Sequence, residues 1–464
     1  MQDPFKRSRL VPATASLALI PTAAGASGFA LLEQSASRLG TAFAGTAAAA
    51  DDATTVFFNP AGMTALRQPE AVISASGIDI ASQFRNDSSA PAFAQPLGGN
   101  GGDAGDWNFV PAAYFAMPAG ENLAFGIGVN APFGLKLVYD DDWIGRFQAL
   151  HSEITTLNIN PSVAYRIGEH ISLGIGADFQ RLDAELTNDV NYSAVVGQGV
   201  QQLVGAGQLP PATGAAIVAA NGGLAGRARV RGDDDAWGFN VGALFELSDQ
   251  THIGLTYRSS VDYTVTGSIS FAAPTGADPI ANGIIAAASS TGAPLASGPV
   301  RVDLELPDSA AASLEHRFGE KYALLADVAW TGWSSIQELR IVRDSGATVS
   351  VTPERWKDTW RYALGATYAM HDAVTLRAGV AFDETPVPDA TRTPRLPDTD
   401  RTWVAIGARW QPSPALVMDF GYAHLFSDTV PLHQDAGNVA TSALLDGNQH
   451  SDIDIVSAQL VYRF

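Results

Sequence analysis

Residues 453–464, IDIVSAQLVYRF, close the chain on a strict two-residue alternation. Val456, Ala458, Leu460, Tyr462 and Phe464 share one face, while Ser457, Gln459 and Arg463 share the other. Successive side chains of a strand point to opposite sides, so this segment has an apolar and a polar face. Amphipathic segments of similar length recur upstream: Ala71–Phe84, Trp107–Met117, Leu123–Phe133, Glu153–Ile167, Ile171–Leu186, Ala236–Leu247, Thr251–Ile269, Val300–Phe318, Tyr322–Ile341, Trp360–Met370, Val374–Phe382, Thr402–Trp410 and Ala415–Leu425. With the last strand they number fourteen. The connections alternate between long ones and short ones such as Gly168–His170, Ser248–Gln250, Gly319-Glu320 and His371-Asp372. Tight turns on one side and longer loops on the other are the pattern of a membrane barrel. A sandwich strand would explain one segment, but not the one-sided loop lengths. The expected fold class is an all-β transmembrane barrel of fourteen antiparallel strands.

Beyond its N-terminus the chain offers no run of 18 apolar residues, which argues against membrane-spanning helices. A closed barrel instead satisfies every backbone N–H and C=O between strands. The N-terminus itself reads as an export signal: Lys6, Arg7 and Arg9, an apolar run Leu10–Ile20 broken by Pro12, then Ala24-Gly25-Ala26. A signal peptide over residues 1–26 is therefore expected, and with it the Gram-negative outer membrane as destination. The formal net charge is −20 among 464 residues, and signal removal makes it two units more negative. That charge disfavours nucleic acid or an anionic membrane surface as the main partner. There is no cysteine, hence no disulfide and no thiolate metal site. No nucleophile-elbow motif appears, so an enzyme is not expected, and neither a metal nor a cofactor is implied.

Between signal and barrel lies a stretch that matches no strand, from Ser27-Gly28-Phe29 to Asn59-Pro60-Ala61-Gly62 and rich in Ala, Gly, Ser and Thr. We read residues 27–68 as a hatch filling the lumen and residues 69–464 as the barrel. Two outer loops, Asn191–Gly226 and Phe271–Gly298, are long and rich in Ala, Gly and aliphatic residues, with short helices expected at Val195–Val204 and Ala215–Leu224. They suit a landing site for a hydrophobic solute and also a mutually packed cap, and the two are not exclusive. Asp140–Asp142 and Asp233–Asp235 fit a solvated acidic rim, or cation bridges to lipopolysaccharide, but lack calcium-loop spacing.

The chain resembles the FadL family of outer-membrane transporters of long-chain fatty acids, whose TodX-like branch takes aromatic hydrocarbons. The resemblance rests on Gly40, Gly45, Ala50-Asp51-Asp52-Ala53 and Asn59-Pro60-Ala61 in the plug. In the barrel it rests on Asn130–Leu135, Trp143–Ala149, Ser162–Arg166, Trp237-Gly238-Phe239, Leu255–Ser259, Trp356–Gly365, Ala381–Pro388 and Pro397–Arg401. It implies a fourteen-stranded barrel with an N-terminal hatch and a kink in the third strand that opens the wall sideways. The matching position is Ala131-Pro132-Phe133-Gly134, where proline cannot donate to the ladder; an ordinary strand end would also place a proline there. Phe29 matches a family phenylalanine at the substrate pocket. Asn59 and Pro60 are then candidates for a gating hinge or plug contact, or for a purely structural turn.

The resemblance implies passive uptake of long-chain fatty acids or similar hydrophobic molecules, with hatch gating and lateral exit. Each CH₂ moved from water to an apolar site contributes about 0.8 kcal/mol. A fatty carboxylate favours a basic partner. By alignment the family's two basic residues fall on Asn188 and Thr352, so Arg146, Arg181 and Lys357 are the candidate substitutes, each also suited to a lumen or rim ion pair. That leaves aromatic-hydrocarbon uptake open, as well as a surface adhesin using the long loops. Expected partners are the hydrophobic substrate, outer-membrane lipids with lipopolysaccharide, and the outer-membrane assembly machinery, which the terminal Phe464 would address. The barrel is expected to be a monomer.

Overall fold

The computed structural model describes residues 28–435 and 443–464. The expected signal peptide, its cleavage site and Ser27 lie outside the described residues.

Fourteen strands form one antiparallel sheet. They are β1 (Glu70–Asn86), β2 (Trp107–Pro118), β3 (Leu123–Asn130, resuming as Gly134–Val138), β4 (His151–Ile167), β5 (Ile171–Asn191), β6 (Ala225–Ser248) and β7 (Thr251–Arg258 and Val261–Ala272). Then follow β8 (Gly298–Leu306 and Ser309–Phe318), β9 (Tyr322–Thr331 and Glu338–Arg343), β10 (Thr348–Pro353 and Thr359–His371), β11 (Val374–Asp383), β12 (Arg401–Ser413), β13 (Leu416–Ser427 and Val430–Asp435) and β14 (Leu444–Arg463). Each strand pairs with its sequence neighbour, and β14 pairs back onto β1 from Glu70↔Arg463 to Asn86↔Gly447, so the sheet closes.

The alternation in the last strand has its expected result. Val456, Leu460, Tyr462 and Phe464 point outward, Phe464 being 65% exposed, while Ser457 and Gln459 are buried inside. Phe125, Leu173, Leu324, Leu364 and Ile406 continue an exposed apolar belt around the wall. Aromatic rings border it, with Tyr165, Tyr322, Trp410 and Tyr462 near the short turns and Trp107, Trp237 and Trp360 toward the long loops. Such a belt is costly in water and favourable in a hydrocarbon layer.

Several strands are longer than the alternation suggests. β6 begins at Ala225, not Ala236, and β14 begins at Leu444, not Ile453. The reason lies at Trp237. Beyond that ring the outward positions of β6 are Asp235, Asp233 and Arg231, so the wall rises out of the lipid while its hydrogen bonds to β5 continue to Asn191↔Ala225. The apolar-out signal stops where the lipid stops, although the strand does not. The third strand departs the other way: expected through Phe133, it ends at Asn130 and resumes at Gly134.

Residues 28–66 fill the lumen with α1 (Ala36–Leu39), α2 (Thr55–Phe58) and a 3-10 turn over Pro60–Ala65. Leu31, Leu39, Phe43 and Phe58 pack on Ile78, Trp403, Leu425 and Ile455 of the wall. The small-residue composition has a steric cause, because plug and wall meet at backbone distance. A Cβ on Gly379 would strike Thr41, and one on Gly254 would strike Ala47.

The outer loops carry α3 (Tyr192–Gly205), α4 (Pro211–Ala220) and α5 (Pro279–Ala288). Helix α4 starts four residues before the expected segment, because Pro211 presets the first turn, and it ends before Asn221-Gly222-Gly223. The unexpected α5 has a readable start in Asp278, whose carboxylate accepts from the N–H groups of Ile280 and Ala281, both at 2.9 Å. The three helices bury Tyr192, Val196, Val200, Ile217 and Ile285 against one another, the packed cap among the two readings.

Candidate functional site

Above the plug, the inner faces of β3–β9 enclose a cavity of about 940 Å³, counting its open mouth. Leu135, Ile154, Leu182, Leu186, Val265, Val302, Leu304 and Ile341 make its wall almost wholly aliphatic. These residues face inward on strands that have already left the membrane belt, which is why apolar side chains here point in. Phe29 forms part of the floor, in an aromatic cluster with Phe133, Trp333 and Trp356 at ring separations of 5.1–5.9 Å.

Two titratable groups enter this apolar space from the loops. Arg395 donates to Ser152 Oγ at 3.1 Å, to Asn188 Oδ1 at 3.3 Å and to the carbonyls of His151 and Thr187. No carboxylate among the described residues lies within ion-pair distance of it. Burial pulls its guanidinium down to about 10. Glu354 accepts from Trp356 Nε1 at 3.0 Å, and burial pushes its carboxyl up to about 7.

Below the cavity the wall is interrupted. β2 and β3 pair only from Ala113↔Val129 down to Pro118↔Ala124. Above the gap Val138 N–H of β3 donates to Ala104 O, in the loop just before β2. Between these points β2 keeps its bonds to β1, and β3 keeps its bonds to β4 on both sides of the break. The result is a window bounded by one edge of β2 and the bent segment Ala131–Gly134. Behind it runs the plug: Leu31 N–H donates to Pro132 O and Gly134 N–H to Phe29 O, both at 2.8 Å.

A family model described as outer membrane protein transport protein (OMPP1/FadL/TodX) matches residues 17–464. The chain belongs to the FadL/TodX family. It is 33% identical to a 47 kDa outer membrane protein of Pasteurella multocida, over 88% of this chain and 90% of that one. It is 30% identical to a long-chain fatty acid transport protein of Escherichia coli K12, over 93% and 94%. A FadL homologue of Pseudomonas aeruginosa superposes with a TM-score of 0.82 at 26% identity, covering 94% of this chain and all of that one. The toluene transporter TodX of Pseudomonas putida, at 16% identity and a TM-score of 0.62, shares the fold. The protein is thus an integral outer-membrane transport protein.

Within this FadL/TodX barrel the three basic residues singled out from the sequence lie away from the cavity. Arg146 donates to the carbonyls of Pro96, Leu97 and Trp143 and ties down the loop after β1. Arg181 is on the outer wall, paired with Asp183, Asp233 and Asp235. Lys357 is exposed in the break of β10. The cationic side chain deep in the cavity is Arg395, and the residue it grips, Asn188, is where alignment put one of the family's basic residues. In the acidic runs, Asp141 pairs with Arg227 and Asp233 with Arg181.

Asn59 and Pro60 sit where the plug meets β6. Asn59 Nδ2 donates to Ala47 O at 2.7 Å and Ala243 O at 3.1 Å, and its Oδ1 accepts from Ala61 N–H. Gly242 leaves room for it, since a Cβ there would collide with the Asn59 amide. Asp52 anchors the plug more strongly: it pairs with Arg409 at 3.2 Å and accepts from Gln459 at 2.9 Å and Thr54 Oγ1 at 2.6 Å.

Proposed function

We propose that this chain admits long-chain fatty acids by passive diffusion. The acyl chain enters the aliphatic cavity with its carboxylate on Arg395. A shift of the N-terminal plug at Phe29 then opens the way to the window between β2 and β3, and the molecule leaves sideways into the outer leaflet. The observation that carries this reading is an aliphatic cavity holding the Arg395 guanidinium, with no carboxylate of the described residues within ion-pair distance of it, floored by the same plug residues that back the window. A neutral aromatic hydrocarbon would make no use of the Arg395 charge. The names of the curated relatives point the same way, since the Escherichia coli protein is a long-chain fatty acid transporter. In this reading residues 1–26 are the export signal, residues 27–68 the hatch and residues 69–464 the barrel. The barrel acts as a monomer surrounded by outer-membrane lipid and lipopolysaccharide.

The test is uptake of labelled oleate and labelled toluene by cells with and without the gene. Gene-dependent oleate uptake with no gain for toluene is the expected result. Gain for toluene alone would move the protein to hydrocarbon uptake, and no gain for either compound would remove the transport reading and leave a surface role for the helical loops.

A further inference from the structure

The bend in β3 leaves backbone groups that β2 does not pair, and buried N–H and C=O groups must be satisfied somewhere. From Ala131 to the N–H of Gly134 their partners are found on the lumenal side. Phe133 N–H donates to Thr156 Oγ1 at 3.0 Å, and the same hydroxyl donates back to Phe133 O at 2.7 Å. Pro132 has no N–H, and its carbonyl accepts from Leu31, while Gly134 N–H donates to Phe29 O. Ala131, at the apex where β3 leaves β2, depends on a single side chain. Gln34 Nε2 donates to Ala131 O at 2.7 Å, and Gln34 Oε1 accepts from Ala131 N–H at 3.4 Å.

Gln34 is itself fully buried and held in place. Its Nε2 also reaches Leu31 O at 3.2 Å, and its own carbonyl accepts from the Tyr114 hydroxyl of β2 at 3.3 Å. The carboxamide does for Ala131 what a neighbouring strand does elsewhere, because it donates and accepts in one plane as a backbone amide does.

We propose that Gln34 is the positioning residue of the lateral window: its carboxamide pins the bend of β3 to the plug and keeps Ala131 from returning to β2. The plug and the window edge then move as one unit, so a displaced N-terminus and a changed window are the same event. The consequence for uptake rests on the lateral route proposed above, whereas the pinning does not.

The chain has no cysteine, so spin labels at Phe109→Cys and Lys136→Cys report the width of the window in the otherwise intact barrel. Gln34→Met keeps the volume and removes both bonds; Gln34→Leu removes both with a branched apolar side chain that can neither donate nor accept. In both variants, in samples whose heat-modifiable migration shows a folded barrel, the label distance is expected to shorten as Ala131 moves toward β2. Oleate uptake is expected to fall with it. An unchanged distance in both variants overturns the proposal whatever uptake does. A shortened distance with normal uptake upholds the pinning role and counts against the lateral route instead.

Discussion

Arg395 is held by four oxygen atoms, none from a carboxylate, and that decides what its loss should do. Charge-assisted hydrogen bonds contribute about 1.5–3 kcal/mol. Arg395→Ala should therefore weaken oleate binding to the purified protein by roughly tenfold or more, while leaving methyl oleate unaffected. Equal losses for acid and ester would mean that the guanidinium serves only to brace β4 and β5. Glu354 sets the pH dependence. Its carboxyl is raised from 4.5 to about 7, so the folded protein favours the neutral form. The stability this contributes is complete below the unfolded value and is lost as pH rises to about 7. Above 7 an ionised Glu354 competes for Arg395 and repels a fatty carboxylate. Oleate affinity should thus fall as pH rises through 7, and Glu354→Gln should flatten the profile, as titration by tryptophan fluorescence will reveal. Neither residue was legible in the sequence. Both stand in stretches between strands, where no periodicity marks a side chain as inward, and only the closure of the barrel brings residues 354 and 395 to one cavity.

Among the elements, the plug is coupled to the wall by buried charge as well as by apolar packing. Asp52, with no exposure, takes bonds from Arg409, Gln459 and Thr54, and Arg409 also pairs with Asp419 at 2.8 Å. Removing one member of such a buried network leaves the other charges uncompensated, at a cost of about 3–5 kcal/mol. Asp52→Ala should loosen the plug without opening the barrel: labels placed on the plug gain mobility, and the folded barrel keeps its electrophoretic migration. If the labels stay rigid, the close packing of Thr41 and Ala47 on wall glycines suffices to seat it. That segment was visible in the sequence as a break in the strand pattern with an unusual density of small residues. Its exact supports were not, because a buried pair such as Asp52 and Arg409 joins residues far apart in the chain. The bend in β3 was visible for a local reason, Pro132 followed by Gly134, yet the residue that holds its apex, Gln34, has nothing in its own neighbourhood to mark it.

For the molecule as a whole, the lipid boundary explains both what the alternation revealed and where it failed. Within the apolar belt each outward residue meets hydrocarbon, so fourteen strands could be counted; above it β6 and β14 continue with polar exteriors and lose the signal. That extension creates the cavity, because a wall standing in water turns its apolar side inward. A solute bound there lies above a plug fixed by buried charges, with a window in the wall beside it. A path straight down meets the buried Asp52 network, whereas the plug residues behind the window are Phe29, Leu31 and Gln34. The lateral route therefore yields a sharp expectation. Cysteines at Phe109 and Lys136, on opposite edges of the window, joined by a bifunctional reagent with a reducible link, should bring oleate uptake down to that of cells without the gene. Reduction should restore it, and oleate binding to the cavity should be unchanged throughout. Singly modified controls separate bridging from bulk. Full uptake through a completely bridged protein would send the route through the plug, and the charge network around Asp52 would then be the gate.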